Sequence, residues 1–317
     1  MPSIARSKAL KALGSQPFDV LVIGGGMTGC GIAVDAATRG LSVALVEAED
    51  WASGTSSKSS KLVHGGLRYL QQREFRLVYE NLRERQRLLR NAPHLVSVLP
   101  FLIPLFGKDG LASKAVVRSY KSALWLYDLT GGLRIGKRHR QVDADEALTH
   151  LPSLRTDRLV AGFIYFDARG DDARVALELA RTAQDHGATI ANYAPVTALT
   201  RDPSGRVIGA TVTPAGPDDP GPIEVAARVV VNAAGVFVDE VTSLDPEVDV
   251  ESVTPAKGVH VSVRADRLPC DIASVLPVSA DRRSIFVLPW EEGPYAFIGT
   301  TDTSYEGDLH EPDCTPE

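Results

Sequence analysis

Phe18-Asp19-Val20-Leu21-Val22-Ile23-Gly24-Gly25-Gly26-Met27-Thr28-Gly29 is the stretch that decides the fold. Its first six residues are an apolar, β-branched run that reads as a buried strand, and glycines follow at the G-x-G-x-x-G positions Gly24, Gly26 and Gly29. Cys30 to Arg39 are mostly small and helix-compatible, Gly40 supplies a stop, and Leu41 to Glu47 reads as a second strand ending in an acid. The whole is a βαβ unit of the dinucleotide-binding kind. Gly24 would permit the tight turn, Gly26 the approach of a pyrophosphate, and Gly29 the close packing of helix on strand. The helix N-terminus adds free N–H groups and a positive dipole end. Glu47 is placed to bond ribose hydroxyls. An ordinary glycine turn also satisfies a lone G-x-G-x-x-G, but the ordered set of strand, glycines, helix, strand and acid is specific. The unit by itself leaves FAD and NAD both open.

Outward from this unit, 317 residues with 44% apolar content allow about two domains of ordinary globular composition. No apolar run approaches the roughly 20 residues of a membrane helix. The longest, Leu95 to Phe106, contains Pro100 and Pro104 and reads as a strand or extended segment. The first sixteen residues carry Arg6, Lys8 and Lys11 without an acid and lack a secretory pattern, so they read as a loose basic lead-in. Cys30, Cys270 and Cys314 have no metal-like spacing, no metal site is expected, and the sparse odd count suits a reducing compartment. The net charge of −6 is uneven: residues 51–140 hold 17 Lys/Arg against 5 Asp/Glu, a surplus of 12 that leaves −18 for the rest. A basic region of this kind suits an anionic substrate or a membrane surface. No nucleic-acid motif accompanies it, and none is expected as a partner.

After Glu47 comes a hydroxyl-rich loop, Thr55-Ser56-Ser57-Lys58-Ser59-Ser60, followed by Lys61-Leu62-Val63-His64-Gly65-Gly66-Leu67-Arg68-Tyr69. A flexible linker would have the same small polar residues, but not Lys61, His64, Arg68 and Tyr69 so close together. Hydroxyls and loop N–H groups suit phosphates and ring edges, and Gly65 and Gly66 would let backbone lie against a flat ring. Glu74 to Arg90 reads as a helix with Val78, Leu82 and Leu89 on one face and solvated arginines elsewhere. Ser113 to Leu129 reads as a second, with Val116, Tyr120, Leu124 and Tyr127 opposite Lys114, Arg118 and Lys121, and with Trp125 nearby. That pattern fits a membrane-surface helix and an ordinary amphipathic helix equally. Asp171-Asp172 open a helix that runs to His186 with Gly187 as its stop. The strand Ala227 to Val231 ends in Asn232-Ala233-Ala234-Gly235, a second small-residue turn that moves the preference from NAD to FAD. Past Asp245, strands at 259–263, 284–290 and 295–302 predict an antiparallel sheet.

Several of these stretches together resemble one family, the FAD-dependent, quinone-linked glycerol-3-phosphate dehydrogenases. They are Gly24 to Gly31, Thr55 to Leu70, Asp171-Asp172-Ala173-Arg174, Asn232 to Gly235, Lys257-Gly258-Val259-His260 and Ile298-Gly299-Thr300-Thr301-Asp302-Thr303. The resemblance runs from Phe18 to Asp308, and the Ser/Lys/His/Gly/Gly/Arg/Tyr stretch is its specific element. It implies an α/β fold: a discontinuous Rossmann-like FAD-binding domain (17–96 and 157–245) and an α+β substrate domain with an antiparallel sheet (97–156 and 246–317). It implies FAD held by Gly24, Gly26, Gly29, Glu47, Thr55, Ser56, Ser60, Lys61, Leu62, His64, Gly65, Gly66, Ala233, Ala234 and Gly235. It implies oxidation of sn-glycerol 3-phosphate to dihydroxyacetone phosphate by hydride transfer to flavin N5, with electrons passing to quinone. Arg68 would meet the substrate phosphate, His260 would take the hydroxyl proton, and Tyr69 would be a further substrate contact. A peripheral seat at the cytoplasmic face of the inner membrane and a homodimer belong to the same expectation.

The Gly-Val-Arg-Pro-like and Gly-Gly-Lys-Leu-Thr-Thr-like segments that follow in the family do not occur in this sequence. Thr315-Pro316-Glu317 reads as a helix start. The expectation is therefore a C-terminally truncated member with weak FAD binding and little turnover. An oxidase using the same site with O₂, and a flavin-binding fragment without turnover, are the alternatives.

Overall fold

The computed structural model describes residues 6–66, 74–107, 114–216, 220–248, 252–277, 284–290 and 293–314. The chain folds as two units: residues 1–59, 171–256 and 304–317 make one, and residues 60–170 and 257–303 the other.

The first unit is built on a six-stranded sheet in the order Thr189–Ala191, Val43–Val46, Phe18–Ile23, Ile223–Asn232, Val207–Val212, Val196–Arg201. The first four strands are parallel and the last two add as an antiparallel meander. Phe18–Ile23 lies inside the parallel part, and its apolar run follows from having partners on both edges and layers on both faces. On one face the helices Met27–Thr38 and Asp172–Asp185 bury Cys30, Ala33, Ala37, Ala180 and Ala183 against Val22, Leu45 and Ile190. Asp171 caps the second helix by accepting from the Arg174 N–H at 3.2 Å, and Gly187 ends it with a φ of +93°.

The lead-in to the first strand corrects an expectation. Residues Arg6–Leu13 form a helix whose Leu10 and Leu13 are buried with Phe18, Leu21 and Val225. The Arg6 guanidinium donates to the carbonyls of Asn192, Tyr193 and Ala215 at 2.9 to 3.0 Å. The segment is a tied-down part of the core, because its two leucines stand three apart on one helical face.

The second unit contains an eight-stranded sheet in the order Val261–Arg264, Tyr295–Gly299, Ser284–Pro289, Ala273–Pro277, Val96–Phe106, Leu159–Gly170, Leu62–Val63, with Arg140–Val142 also on Leu159–Gly170. All its pairings are antiparallel except Ala273–Pro277 with Val96–Phe106. The boundaries differ from those expected, since 60–96 and 157–170 fall in this unit while 246–256 and 304–317 fall in the first. The cause is the long antiparallel pairing of Val96–Phe106 with Leu159–Gly170, which carries Leu62–Val63 on its far edge.

The helices Phe75–Asn91 and Lys114–Thr130 pack Val78, Leu82, Leu124 and Tyr127 onto Phe101, Ile103 and Tyr165. Most of the expected inner face of Lys114–Thr130 is therefore core, although Val116 is exposed. Trp125, Leu126 and Leu129 stand outward with Arg118 and Lys121, and Leu129 is 70% exposed. No helix among the described residues is long and apolar enough to cross a membrane.

Candidate functional site

In the first unit the glycine turn is a steric necessity. Gly24 adopts a φ of +113°, and a Cβ there would lie 2.5 Å from the Ala233 carbonyl oxygen. A Cβ on Gly29 would lie 1.9 Å from the Gly24 oxygen, so the helix can approach the strand only without a side chain. The Ala233 N–H donates to the Ile23 carbonyl at 2.8 Å, which sets the second small-residue turn directly beside the first. Asn232 holds that turn: its side chain donates to the Val238 carbonyl at 2.8 Å and accepts from the Ala234 N–H at 3.2 Å.

No side chain caps the helix at Gly26, and the Met27 N–H donates to Ser56 Oγ at 2.9 Å. Glu47 is fixed at the end of its strand, with Oε2 accepting from the Gly25 N–H at 2.6 Å and Oε1 from the Glu49 N–H at 2.8 Å. An ionised carboxylate has about four acceptor positions, so two remain for a diol. Buried beneath the turn, Cys30 has its thiol pushed up to about 12, first by burial and then by the Glu47 charge. That thiol is inert packing.

These elements surround a cavity of about 750 Å³, within the usual range for ligand pockets. Gly24, Gly26, Glu47, Thr55, Ser56, Ala233, Ala234 and Gly235 all line it, while Gly29 lies underneath. Ala194, Pro195, Val196, Val241 and Leu244 add an apolar wall. The parts suit FAD: a helix start at a glycine for phosphate, an oriented acid for ribose, small residues for close approach and an apolar wall for a flat ring. The apolar wall, Phe237 and His310 were not legible in the sequence, since they come from separate segments, among them the start of the strand Val196–Arg201 and the short helix Val238–Thr242, that share no motif.

The expected loop divides between the units: Thr55 to Ser59 belong to the first and Ser60 onward to the second. Ser59 is anchored by Asp172, whose Oδ2 accepts from its hydroxyl at 2.6 Å and its N–H at 3.1 Å. In the second unit Ser60 Oγ stands 2.8 Å from His260 Nε2. A Cβ on Gly299 would lie 2.6 Å from His260 Cδ2, so that glycine makes room for the imidazole. Burial, and then the Lys61 charge, push the His260 pKa below its ordinary value. The Lys61 ammonium lies 5.7 Å from the Trp290 ring centroid. The Val259 N–H donates to Thr301 Oγ1 at 2.9 Å, which ties the residue before His260 to the Thr300-Thr301 stretch. Ser60, Lys61 and His260 thus form one group.

Leu62 pairs with Arg169 in the sheet, His64 is exposed, and Gly65 and Gly66 are buried. Arg68 and Tyr69 lie outside the described residues. Gly65 rests on a cluster that sequence reasoning missed. Its N–H donates to Tyr127 OH at 3.0 Å and Asp167 Oδ1 at 3.1 Å, and a Cβ there would meet Leu82 at 2.2 Å. Asp167 forms an ion pair with Arg85, which is wholly buried, and accepts from Tyr127 OH at 2.7 Å. Burial raises the Asp167 carboxyl against the opposing pull of Arg85 and Tyr127. Burial, reinforced by the Asp167 charge, pushes the Tyr127 phenol well above its usual range. Arg85 was visible on the Val78-Leu82-Leu89 face, three positions after Leu82.

The family described as FAD dependent oxidoreductase matches residues 19–317. This chain belongs to that FAD-dependent oxidoreductase family. It is 46% identical over 312 residues to "Glycerol-3-phosphate dehydrogenase 2" of Mycobacterium tuberculosis, covering 98% of this chain and 51% of that protein. It is 37% identical to "Alpha-glycerophosphate oxidase" of Streptococcus pneumoniae, with the same coverages of 98% and 51%. Among solved structures, the glycerol-3-phosphate dehydrogenase of Bacillus halodurans complexed with FAD superposes with a TM-score of 0.76 at 33% identity, covering 98% of this chain and 53% of that one. The chain spans about half the length of these curated relatives.

Proposed function

We propose that this chain carries the cofactor cradle and the proton-accepting residue of an FAD-dependent glycerol-3-phosphate dehydrogenase. The proposed reaction converts sn-glycerol 3-phosphate to dihydroxyacetone phosphate, with electrons passing to quinone. The observation that carries the reading is the Ser60 and His260 pair at 2.8 Å, with the imidazole pKa pressed below the ordinary 6.5. Oxidising a secondary alcohol removes a hydride from C2 and a proton from its hydroxyl. Bound FAD supplies the two-electron acceptor for that hydride. His260 takes the proton, because an imidazole with a lowered pKa is neutral and basic near pH 7. Ser60 occupies Nε2 and so orients the ring. Lys61 adds positive charge beside an anionic substrate. In this reading Arg68 binds the phosphate and Tyr69 is a further substrate contact.

The similarity to the Streptococcus pneumoniae oxidase favours a second reading in which O₂ is the acceptor. The outward Trp125, Leu126 and Leu129 beside Arg118 and Lys121 support a membrane-surface seat, where a quinone would be met. The test loads purified protein with FAD, removes oxygen and adds glycerol 3-phosphate. Slow bleaching of the flavin absorbance, in keeping with the little turnover expected of this chain, followed by reoxidation with a quinone analogue, is the expected result. Bound flavin that stays oxidised overturns the substrate, and reoxidation by O₂ alone moves the reading to an oxidase. His260→Ala should lower turnover more than substrate affinity.

A further inference from the structure

The cavity of the first unit extends past the glycine turn to a pair of stacked rings. Phe237 closes the short turn Gly235–Phe237 that follows the Asn232 segment, and the His310 ring lies on it with centroids 4.6 Å apart and planes 24° from parallel. Both rings line the cavity, as does Glu240. Gly54 is also near Phe237, where a Cβ would sit 3.8 Å from Cε2. The His310 N–H donates to Asp308 Oδ1 at 2.8 Å, which sets the turn that presents the ring. Its Nε2 is 3.6 Å from Glu240 Oε1, but both side chains are more than half exposed, so that ion pair contributes little. The ring contact is the part with energetic weight.

A flat aromatic surface lining the same cavity as the oriented Glu47 carboxylate is what a purine would stack on. We propose that Phe237 and His310 form an aromatic clasp for the adenosine half of the dinucleotide, with His310 as a recognition residue for the adenine end. This rests on the FAD reading of the cavity. Neither residue belongs to a glycine motif or to the Ser60 and His260 group. They act on affinity for the nucleotide end and leave the reacting centre alone.

The test measures FAD, ADP and FMN binding by calorimetry to the flavin-free whole chain and to His310→Ala, His310→Phe and Phe237→Leu. His310→Ala should weaken FAD and ADP alike, by about three- to tenfold, the scale of one aromatic contact. His310→Phe should restore most of the loss, and FMN, which lacks adenosine, should bind all variants equally. His310 is exposed, so its replacement leaves the fold intact even where Phe237→Leu does not. Unchanged ADP affinity in His310→Ala, or an equal loss for FMN, overturns the clasp. Bound FAD that glycerol 3-phosphate still bleaches would then leave the functional reading standing. Wild-type protein that binds neither ADP nor FAD overturns both.

Discussion

The glycine cradle of the first unit and the buried Arg85, Asp167 and Tyr127 cluster of the second are constrained by opposite kinds of physics. The cradle is held by the absence of atoms: a Cβ on Gly24, Gly25 or Gly29 would lie within 2.7 Å of a neighbour. The cluster is held by charge, with a guanidinium, a carboxylate, a phenol and the Gly65 N–H meeting away from water. One is a matter of shape that any bulk destroys. The other is a balance in which each group is costly without its partners.

That contrast can be broken or sharpened by substitution. The largest effect is expected from Arg85→Met, which leaves the Asp167 carboxylate buried without its cation. Breaking such a pair costs about 3 to 5 kcal/mol, read as a lowered denaturation midpoint in urea. Adding Asp167→Leu removes the buried charge but leaves the Tyr127 hydroxyl and the Gly65 N–H without their acceptor, so it should recover only part of the loss. A single variant within about 1 kcal/mol of wild type, the scale of an exposed pair, would mean that the cluster does not depend on charge.

Gly29→Ala should cost about 1 to 3 kcal/mol through overpacking, and the protein should purify without flavin colour. Normal flavin content would show that the helix can retreat from the Gly24 carbonyl without losing the cradle. Glu47→Gln should come next. Two backbone N–H groups point at its two oxygens, and the amide must turn its NH₂ toward one of them. That donor clash costs stability with or without cofactor, and the lost charge-assisted acceptor for the ribose, worth about 1.5 to 3 kcal/mol, should raise the FAD dissociation constant roughly ten- to hundredfold, since 1.4 kcal/mol is tenfold. An unchanged constant would remove Glu47 from the ribose.

The smallest effect concerns His260, followed by the proton NMR titration of its ring. Its folded-state pKa lies below the ordinary 6.5, so the folded form binds this proton less readily than the unfolded chain does. The contribution to stability is therefore complete above the unfolded value and is lost as pH falls through the folded one. Lys61→Met removes a positive charge and should move the titration upward, toward 6.5, narrowing that window. A downward shift would contradict the electrostatic account.

The same contrast explains how far the sequence could be read. The cradle was legible because its determinants are contiguous: Phe18 to Glu47 holds the strand, three motif glycines, helix and acid in one run, and each glycine answers to a local need. The strands at 284–290 and 295–302 were legible for the same reason. The cluster was not, because Arg85, Tyr127 and Asp167 come from three distant segments, and nothing local separates a buried arginine from a solvated one except its place on the apolar face. Leu10 and Leu13 were passed over when the basic residues around them set the reading. The Ser60 and His260 pair spans 200 positions and was approached only through the family resemblance, which supplied both residues without their contact.

Val20 pairs in parallel with Val229, and every partner along that ladder is likewise 209 positions away. A ribosome adding about 5 to 20 residues per second needs roughly ten to forty seconds between making the two. Throughout that interval one edge of the Phe18–Ile23 strand is an open row of hydrogen-bonding groups on an apolar ribbon, a template for any other nascent chain nearby. Slow synthesis or crowded polysomes should therefore lower the soluble yield of this protein before any property of its finished cradle comes into play.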